Sequence, residues 1–483
     1  MELKKRFREF KNKLYVEGAF SFANTTLLTG IFLVGFALAL GADNFQLGIL
    51  MAIPLFANLI QLFSAFILES TGTKKYTTLI SLFLGRFAWV IVILMAFGFI
   101  KEKTPIIILI IVLILSNFLN AIGNLSLLSW MKDLVLIRRL GRFLGKRNIY
   151  ASIGGMVAYL GGAYFLDKFD GPKTYGYLFL FATTLGFIAL FYLINIPEKK
   201  QKIKAINPIK FFNRLKLSFI DTNFRPLLYF GLLWGFAINI ASPFFIVFML
   251  DDLALSFFLV SILLIVDTLS RIYGLNIWRV IADKFGAKPT LIVTATIVSL
   301  TPFWFIFINQ TNYLFLFLIF LVSGASFAGV DIAVSQVLFK SAPRKNDAYY
   351  LSAFTSSTGL ISGLGPIIGG FLAVFIKNNT HLPLMNLLPS LKYIFLASFI
   401  LRASCIPLIS RIIEPKAREV NDVIKRMKTL RFFSFFTNLY SFANHTSKIV
   451  LIPEKQFFTL QRETFKAAKK GFSKIWKHKN REK

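Results

Sequence analysis

Apolar runs of twenty or more residues, broken by short polar stretches, recur along the chain to about residue 411. Runs of that length suit helices crossing about 30 Å of hydrocarbon. They predict twelve spans, at about 14–40, 45–68, 76–100, 105–131, 148–166, 175–196, 226–250, 255–281, 289–308, 312–339, 348–376 and 390–411. The expected fold is an all-α integral membrane protein, its twelve transmembrane helices forming two six-helix bundles. Ala37-Leu38-Ala39 resembles a peptidase site, but the first run is too long for a signal segment and a second span follows at once, so it reads as an uncleaved first helix.

The longest polar interruption, 197–225, separates the two sets of six spans. Asn207 followed by Pro208 suits a helix start, and Phe and Leu then alternate with Lys and Arg, as on a membrane-surface helix. The predicted organisation is an N-terminal bundle (1–196), a linker (197–225), a C-terminal bundle (226–412) and a basic tail (413–483). The tail's Lys469–Lys477 stretch, with Phe472 and Trp476, also suits a membrane surface.

Two of the polar turns echo one another. Ile281-Ala282-Asp283-Lys284-Phe285-Gly286-Ala287-Lys288 carries an acid, a Gly three places on and a Lys two places after that. Glu69, Gly72 and Lys74 repeat the pattern half a chain earlier. Each Gly suits a tight turn, and the recurrence indicates an internal duplication.

Charge sharpens the topology. A net charge of +32 first suggests nucleic acid. Of the 55 Lys and Arg, however, only Lys101, Lys103, Lys168, Lys173, Lys377 and Lys392 fall on one side of the predicted membrane, and only Arg86, Arg271 and Arg402 lie deep within spans. The rest lie on the other side, so both termini are expected in the cytoplasm of a multi-pass inner (plasma) membrane protein. The basic loops and tail then face anionic lipids, and no nucleic-acid partner is needed.

One cysteine and three scattered histidines offer neither a disulfide framework nor a metal site. Gly141–Arg147 lacks the spacing and the Ser/Thr of a nucleotide-binding loop, and no nucleophile elbow or dinucleotide fingerprint occurs. No catalytic residues and no cofactor are expected, and the chain does not read as an enzyme.

Six plus six spans, the basic central loop and the duplicated turn resemble the major facilitator superfamily over about residues 10–412. That family carries G-x-x-x-D-R-x-G-R-K after spans two and eight. Asp283, Lys284, Gly286 and Lys288 fit the second copy. Glu69, Gly72 and Lys74 fit the first in part, with Ala65, Ser70 and Thr73 departing from it. Trp130–Asp133 with Arg138–Arg147 resembles the loop after span four, and Pro343–Asp347 occupies the equivalent place after span ten. Gly365-Pro366-Ile367-Ile368-Gly369-Gly370 matches an antiporter motif of span five but lies in span eleven. The resemblance implies a rocking-bundle transporter whose turn motif acts in gating.

Charged groups at membrane depth are costly and call for partners or water. Asp267 and Arg271 stand at i, i+4 in span eight, so one helix face holds both. Asp331 in span ten is the first candidate for a coupling proton site, Asp267 the second. The bland alternative for Asp331 is a packing carboxylate paired with Arg402 or Lys340. Arg86 in span three and Glu17 near the end of span one, beside Lys13, are further candidates. By the resemblance, spans one, four, seven and ten line the cavity. They supply Asn24, Thr25, Asn117, Asn120, Asn124, Trp234, Asn239, Ser335 and Gln336 as wall candidates. The glycines of spans five and eleven suit close helix contact.

The resulting expectation is a monomeric, proton-coupled secondary transporter of a small solute. The aromatic spans lean towards an apolar or amphipathic solute, and efflux is favoured over uptake. The alternatives are a lipid flippase of the same fold or a non-transporting membrane sensor or scaffold.

Overall fold

A computed structural model describes residues 2–60, 73–100, 105–135, 137–169, 171–198, 216–341, 347–379, 389–412, 414 and 418–429. Glu69, Gly72, most of the predicted linker helix, the Pro343–Asn346 loop and the Lys469–Lys477 stretch lie outside them. Among the described residues, eleven helices are long and apolar enough to cross a membrane, and a shorter one, Asn44–Ala57, stands where span two begins. The family of spans expected from hydropathy is therefore present in order.

Local chemistry shapes the spans. Span one is two helices, Glu2–Leu28 and Gly30–Ala39, jointed where Gly30 takes φ +59. Asp43 caps span two through a reciprocal pair of bonds with Gln46. Span three breaks between Lys74–Phe87 and Trp89–Ala96. Span seven runs through Arg225–Asn239 and Ser242–Val247 into a π-helical turn at Phe248–Asp252. The stretch from Arg138 to Arg147, expected as a loop, is instead helical and belongs to a single helix, Ile137–Lys168. Arg and Lys are good helix formers with long apolar stems, so basic residues do not stop a helix leaving the membrane.

The packing repeats the sequence duplication. Span one packs on five and six, three on four and six, and two on four. Span seven packs on eleven and twelve, nine on ten and twelve, and eight on ten. Each contact in the first set has its counterpart six spans later. Two seams join the sets: span two against eleven and span five against eight. Glycine makes both seam and bundle contacts close, since Cβ atoms at Gly48, Gly154 and Gly274 would lie 2.2–2.5 Å from carbonyl oxygens of Pro366, Ala19 and Ala325.

The core is shared at one end only. One apolar cluster threads both sets, joining Ile31, Phe36 and Leu50 to Phe244, Phe248 and Val260. It lies towards the far face, the side of residues 40–43. Towards the turn face, the side of residues 283–288, two separate clusters replace it. One holds Leu14, Leu127 and Trp130, the other Phe224, Leu291 and Cys405. Among the described residues, the two sets of spans thus share an apolar core on the far face and have separate cores on the turn face. The residues from Glu419 onward form a second unit, in which Val420–Thr429 is a helix.

Candidate functional site

A cavity of about 620 Å³ opens among spans one to five. Span four presents Leu113, Ser116, Asn117, Asn120, Ala121 and Asn124 to it, a spacing that keeps them on one helix face. Asn24 faces it from span one and donates to the Ala182 carbonyl at 2.8 Å. Asn117 donates to the Leu113 carbonyl at 2.9 Å, and both Asn120 and Trp89 donate to the Ser116 hydroxyl at 3.1 Å. The structure thus brings four of the predicted asparagines, and Thr25, to one wall.

Two arginines border the same cavity. Arg86 is buried, donating to the Gly186 carbonyl and, at 3.1 Å, to the Ser21 hydroxyl. Any larger residue at 186 would collide with its stem, since a Cβ there would stand 2.9 Å from Arg86 Cδ. Glu17, a candidate near the end of span one with an interfacial position beside Lys13 as its alternative, is fully buried and accepts from Arg147 of span five at 2.8 Å. Burial of a carboxylate demands such a partner. Arg147 was missed because its neighbours read as loop; the unpaired Glu17 was the signal that a basic partner had to reach it.

The second set of spans holds the charged counterpart. Arg271 reaches across to Asp331 at 3.1 Å and stacks over Phe327, with both charged groups about half exposed. This corrects the Asp267–Arg271 pair expected from i, i+4 spacing, although Arg271 remains an electrostatic neighbour of Asp267. Close contact explains it: a Cβ at Gly324 would lie 2.3 Å from the Asp267 carbonyl oxygen, so span ten comes within reach. Asp331 pairs with neither Arg402 nor Lys340. Arg402 is buried against the carbonyls of Val298, Ala237 and Ile238, and Lys340 binds Glu414. The register that sets Glu69 on Asp283 also sets Ala57 on Arg271 and Asn117 on Asp331. Ala57 and Asn117 both line the cavity.

Other wall candidates fall elsewhere. Trp234 is buried in the turn-face core, stacked on Phe230 at 5.5 Å, and is not among the residues lining the asparagine cavity. Asn239 donates back to the Gly235 carbonyl within its own helix. Ser335 is exposed, and Gln336 donates to Asp283 at 2.8 Å, which places it in the turn motif.

At the turn itself Gly286 takes φ +108, which L side chains resist. Lys284 lies over the Phe285 ring. Glu414 accepts from the backbone N–H groups of Ala287 at 3.2 Å and Lys288 at 2.7 Å, and from Lys340 Nζ at 2.7 Å. Lys288 Nζ donates to the Ser410 carbonyl at 2.6 Å. The first set repeats the device: Glu198 accepts from the N–H of Lys75 at 3.0 Å, and Lys74 pairs with Asp133 at 2.6 Å. In both, a carboxylate just beyond the sixth span of its set meets the positive end of the third span's helix. Composition hid these acids among basic residues.

Burial alone would raise the Glu414 pKa, but the hydrogen bonds from Lys340, Lys288 and Ala287 outweigh it and hold it below the usual carboxylate value. A depressed folded-state pKa contributes stability above the unfolded value that is lost as pH falls through the folded one. Glu414→Gln should therefore lower stability at pH 7 by about 1–2 kcal/mol. The gap should close below about pH 4. Thermal unfolding of both proteins across pH checks this; a gap independent of pH would exclude the carboxylate's charge as the cause.

On the far face Asp167, at the end of span five, accepts from the N–H groups of Phe257 and Phe258 at 2.8 Å each. Ser261 donates to the Tyr159 carbonyl at 3.3 Å along the same seam. Nothing in the sequence flagged Asp167, whose role depends on a helix start from the other set.

Comparison with known proteins agrees with this architecture. The family model of the Major Facilitator Superfamily matches residues 18–274 and 231–478. The multi-drug resistance efflux pump PmrA of Streptococcus pneumoniae is 27% identical over 184 residues, 37% of this chain. That match spans 43% of the pump's own length, less than half. Among solved structures, a variant of the nucleoside transporter NupG superposes with a TM-score of 0.69 at 15% identity, covering 84% of this chain and all of that one. A D-xylose–proton symporter gives 0.61 at 14% identity, with 85% and 98% covered. An inward-facing, unoccupied bacterial homologue of the lysosomal transporter Spinster gives 0.58 at 15%, with 84% and 94% covered. At such identities the likeness is one of fold.

Proposed function

The chain belongs to the major facilitator superfamily of membrane transporters, and we propose that it is a proton-coupled secondary transporter that exports a small amphipathic solute by alternating access. It is a multi-pass membrane protein, and its turn face, which carries most of the basic residues, is the cytoplasmic one in this reading. The observation that carries the proposal is the asparagine-lined cavity with Arg271 and Asp331 at the duplicated positions of the other set. The polar wall holds the solute's hydrogen-bonding groups. This shifts the solute from apolar towards amphipathic, because Phe22 alone of the described phenylalanines lines that cavity. Asp331 carries the proton, released from Arg271 when it is neutralised, and Asp267 is the second acid within reach of the same cation. Partial similarity to an efflux pump supports export over uptake.

The test begins with a thermal-shift screen of metabolites and drugs, in which a ligand at 100-fold its Kd adds about 2.7 kcal/mol. The hit is then followed in proteoliposomes under an imposed pH gradient. Asp331→Asn should abolish gradient-driven accumulation and spare solute-for-solute exchange. Undiminished proton-driven accumulation by that variant would sink the assignment.

A further inference from the structure

A second cavity, about 680 Å³, lies on the opposite side of span one from the asparagine wall. Apart from Tyr177, spans one, five and six line it with apolar groups, among them Phe20, Leu27, Val157, Gly161, Phe165 and Phe181. Val157 and Phe181 are 66% and 58% exposed in membrane-spanning helices, so the groove opens to the bilayer and not to the solute path. On span five it runs from Gly154 to Phe165, roughly 16 Å of helix. One leaflet of hydrocarbon is about 15 Å thick. A Cβ at Gly161 would meet nothing within 4 Å, so the missing side chain is part of the hollow.

The groove's upper end reaches the far-face interface. Lys168 lies there, its ammonium 5.9 Å from the Tyr164 ring and 5.7 Å from that of Phe169, and exposed Lys173 follows at the start of span six. These are two of the six lysines on that side. The neighbouring carboxylate of Asp167 is engaged by the start of span eight; Asp170 lies outside the described residues.

We propose that this groove holds one acyl chain of a membrane phospholipid, with the lipid's phosphate met by Lys168 and Lys173. The length matches one leaflet, the walls match a hydrocarbon chain, and the lysines sit where a headgroup would emerge. The site is separate from the solute cavity, so it stands whether or not the transport reading does.

The full-length protein in detergent, titrated with phosphatidylglycerol and examined by native mass spectrometry, tests it. The wild type should retain one phosphatidylglycerol per chain after delipidation. Gly161→Leu fills open space in a helix, so it should fold with unchanged helical content and retain none. Lys168→Gln with Lys173→Gln should weaken binding by about fivefold per lysine. Retention by Gly161→Leu equal to wild type overturns the groove as the site. Unchanged affinity in the lysine variant overturns the headgroup assignment, and that variant decides alone if the leucine protein does not fold.

Discussion

Valine in place of Gly48 is expected to part the two sets of spans on the far face. Gly48 faces span eleven, and a Cβ there would stand 2.2 Å from the Pro366 carbonyl oxygen and 3.0 Å from its carbon. Both are backbone atoms and cannot rotate aside. Span eleven is pinned along the rest of the seam too, since a Cβ at Gly370 would lie 2.4 Å from the Asn44 carbonyl and one at Gly363 2.7 Å from the Phe56 ring. The helices must therefore separate by about an ångström or tilt, and overpacking of this kind costs about 1–3 kcal/mol. The cost falls on the state in which the seam is shut. At 3 kcal/mol the closed population drops relative to the open one by more than a hundredfold. Spin labels at Ala39 and Gln310, exposed on the far face on opposite sides of the seam, should report longer distances in Gly48→Val. Gly141→Ala, where a Cβ meets nothing, should leave the distances as they are. Equal distance distributions in wild type and Gly48→Val would show that the seam yields elsewhere.

The parts of this molecule that could be read from sequence are those a bilayer imposes. Backbone groups in hydrocarbon must be satisfied within each helix, so length and hydropathy suffice to place spans. The asparagines of span four were legible for the same reason, because polar groups at that depth need either a partner or water. Choice among partners was not legible. Spacing within one helix proposes Asp267 for Arg271, but the short distance to span ten, set by Gly324 and Gly274, gives it Asp331. Glu17 was visible as a candidate acid near the end of span one but its burial was not, and Arg147 sat in a basic stretch that charge counting assigns to water. Trp234 looked like a cavity aromatic because its span was right; its rotation about the helix axis, which puts it on Phe230, is fixed only by packing. The abundance of phenylalanine misled about the solute for a related reason. Phe36, Phe179 and Phe305 fill the core and Phe191 and Phe371 face outward, so composition reports on lipid and packing and not on the cavity wall.

Removing the Asp167 carboxylate should loosen the other seam. Both of its oxygens accept N–H groups at the start of span eight, and a helix start carries partial positive charge. Hydrogen bonds to a charged group are worth about 1.5–3 kcal/mol each when protected. Asp167 is exposed, so solvent screening and rehydration of the freed N–H groups bring the total to about 1–2 kcal/mol. Because the bond joins span five to span eight, it exists only while the far face is shut, and its loss acts on the equilibrium between states. Asp167→Ala should raise the population open at the far face by roughly five- to thirtyfold. Asp167→Asn keeps one acceptor and should fall between alanine and wild type, which separates hydrogen bonding from charge. The same spin-label pair reads the outcome, and solute exchange limited by far-face opening should speed up in parallel. Distances and exchange rates unchanged in Asp167→Ala would mean that the apolar cluster around Phe36 and Phe248 closes this face unaided. The order of the two seams would then be settled as well, with Gly48 decisive and Asp167 incidental.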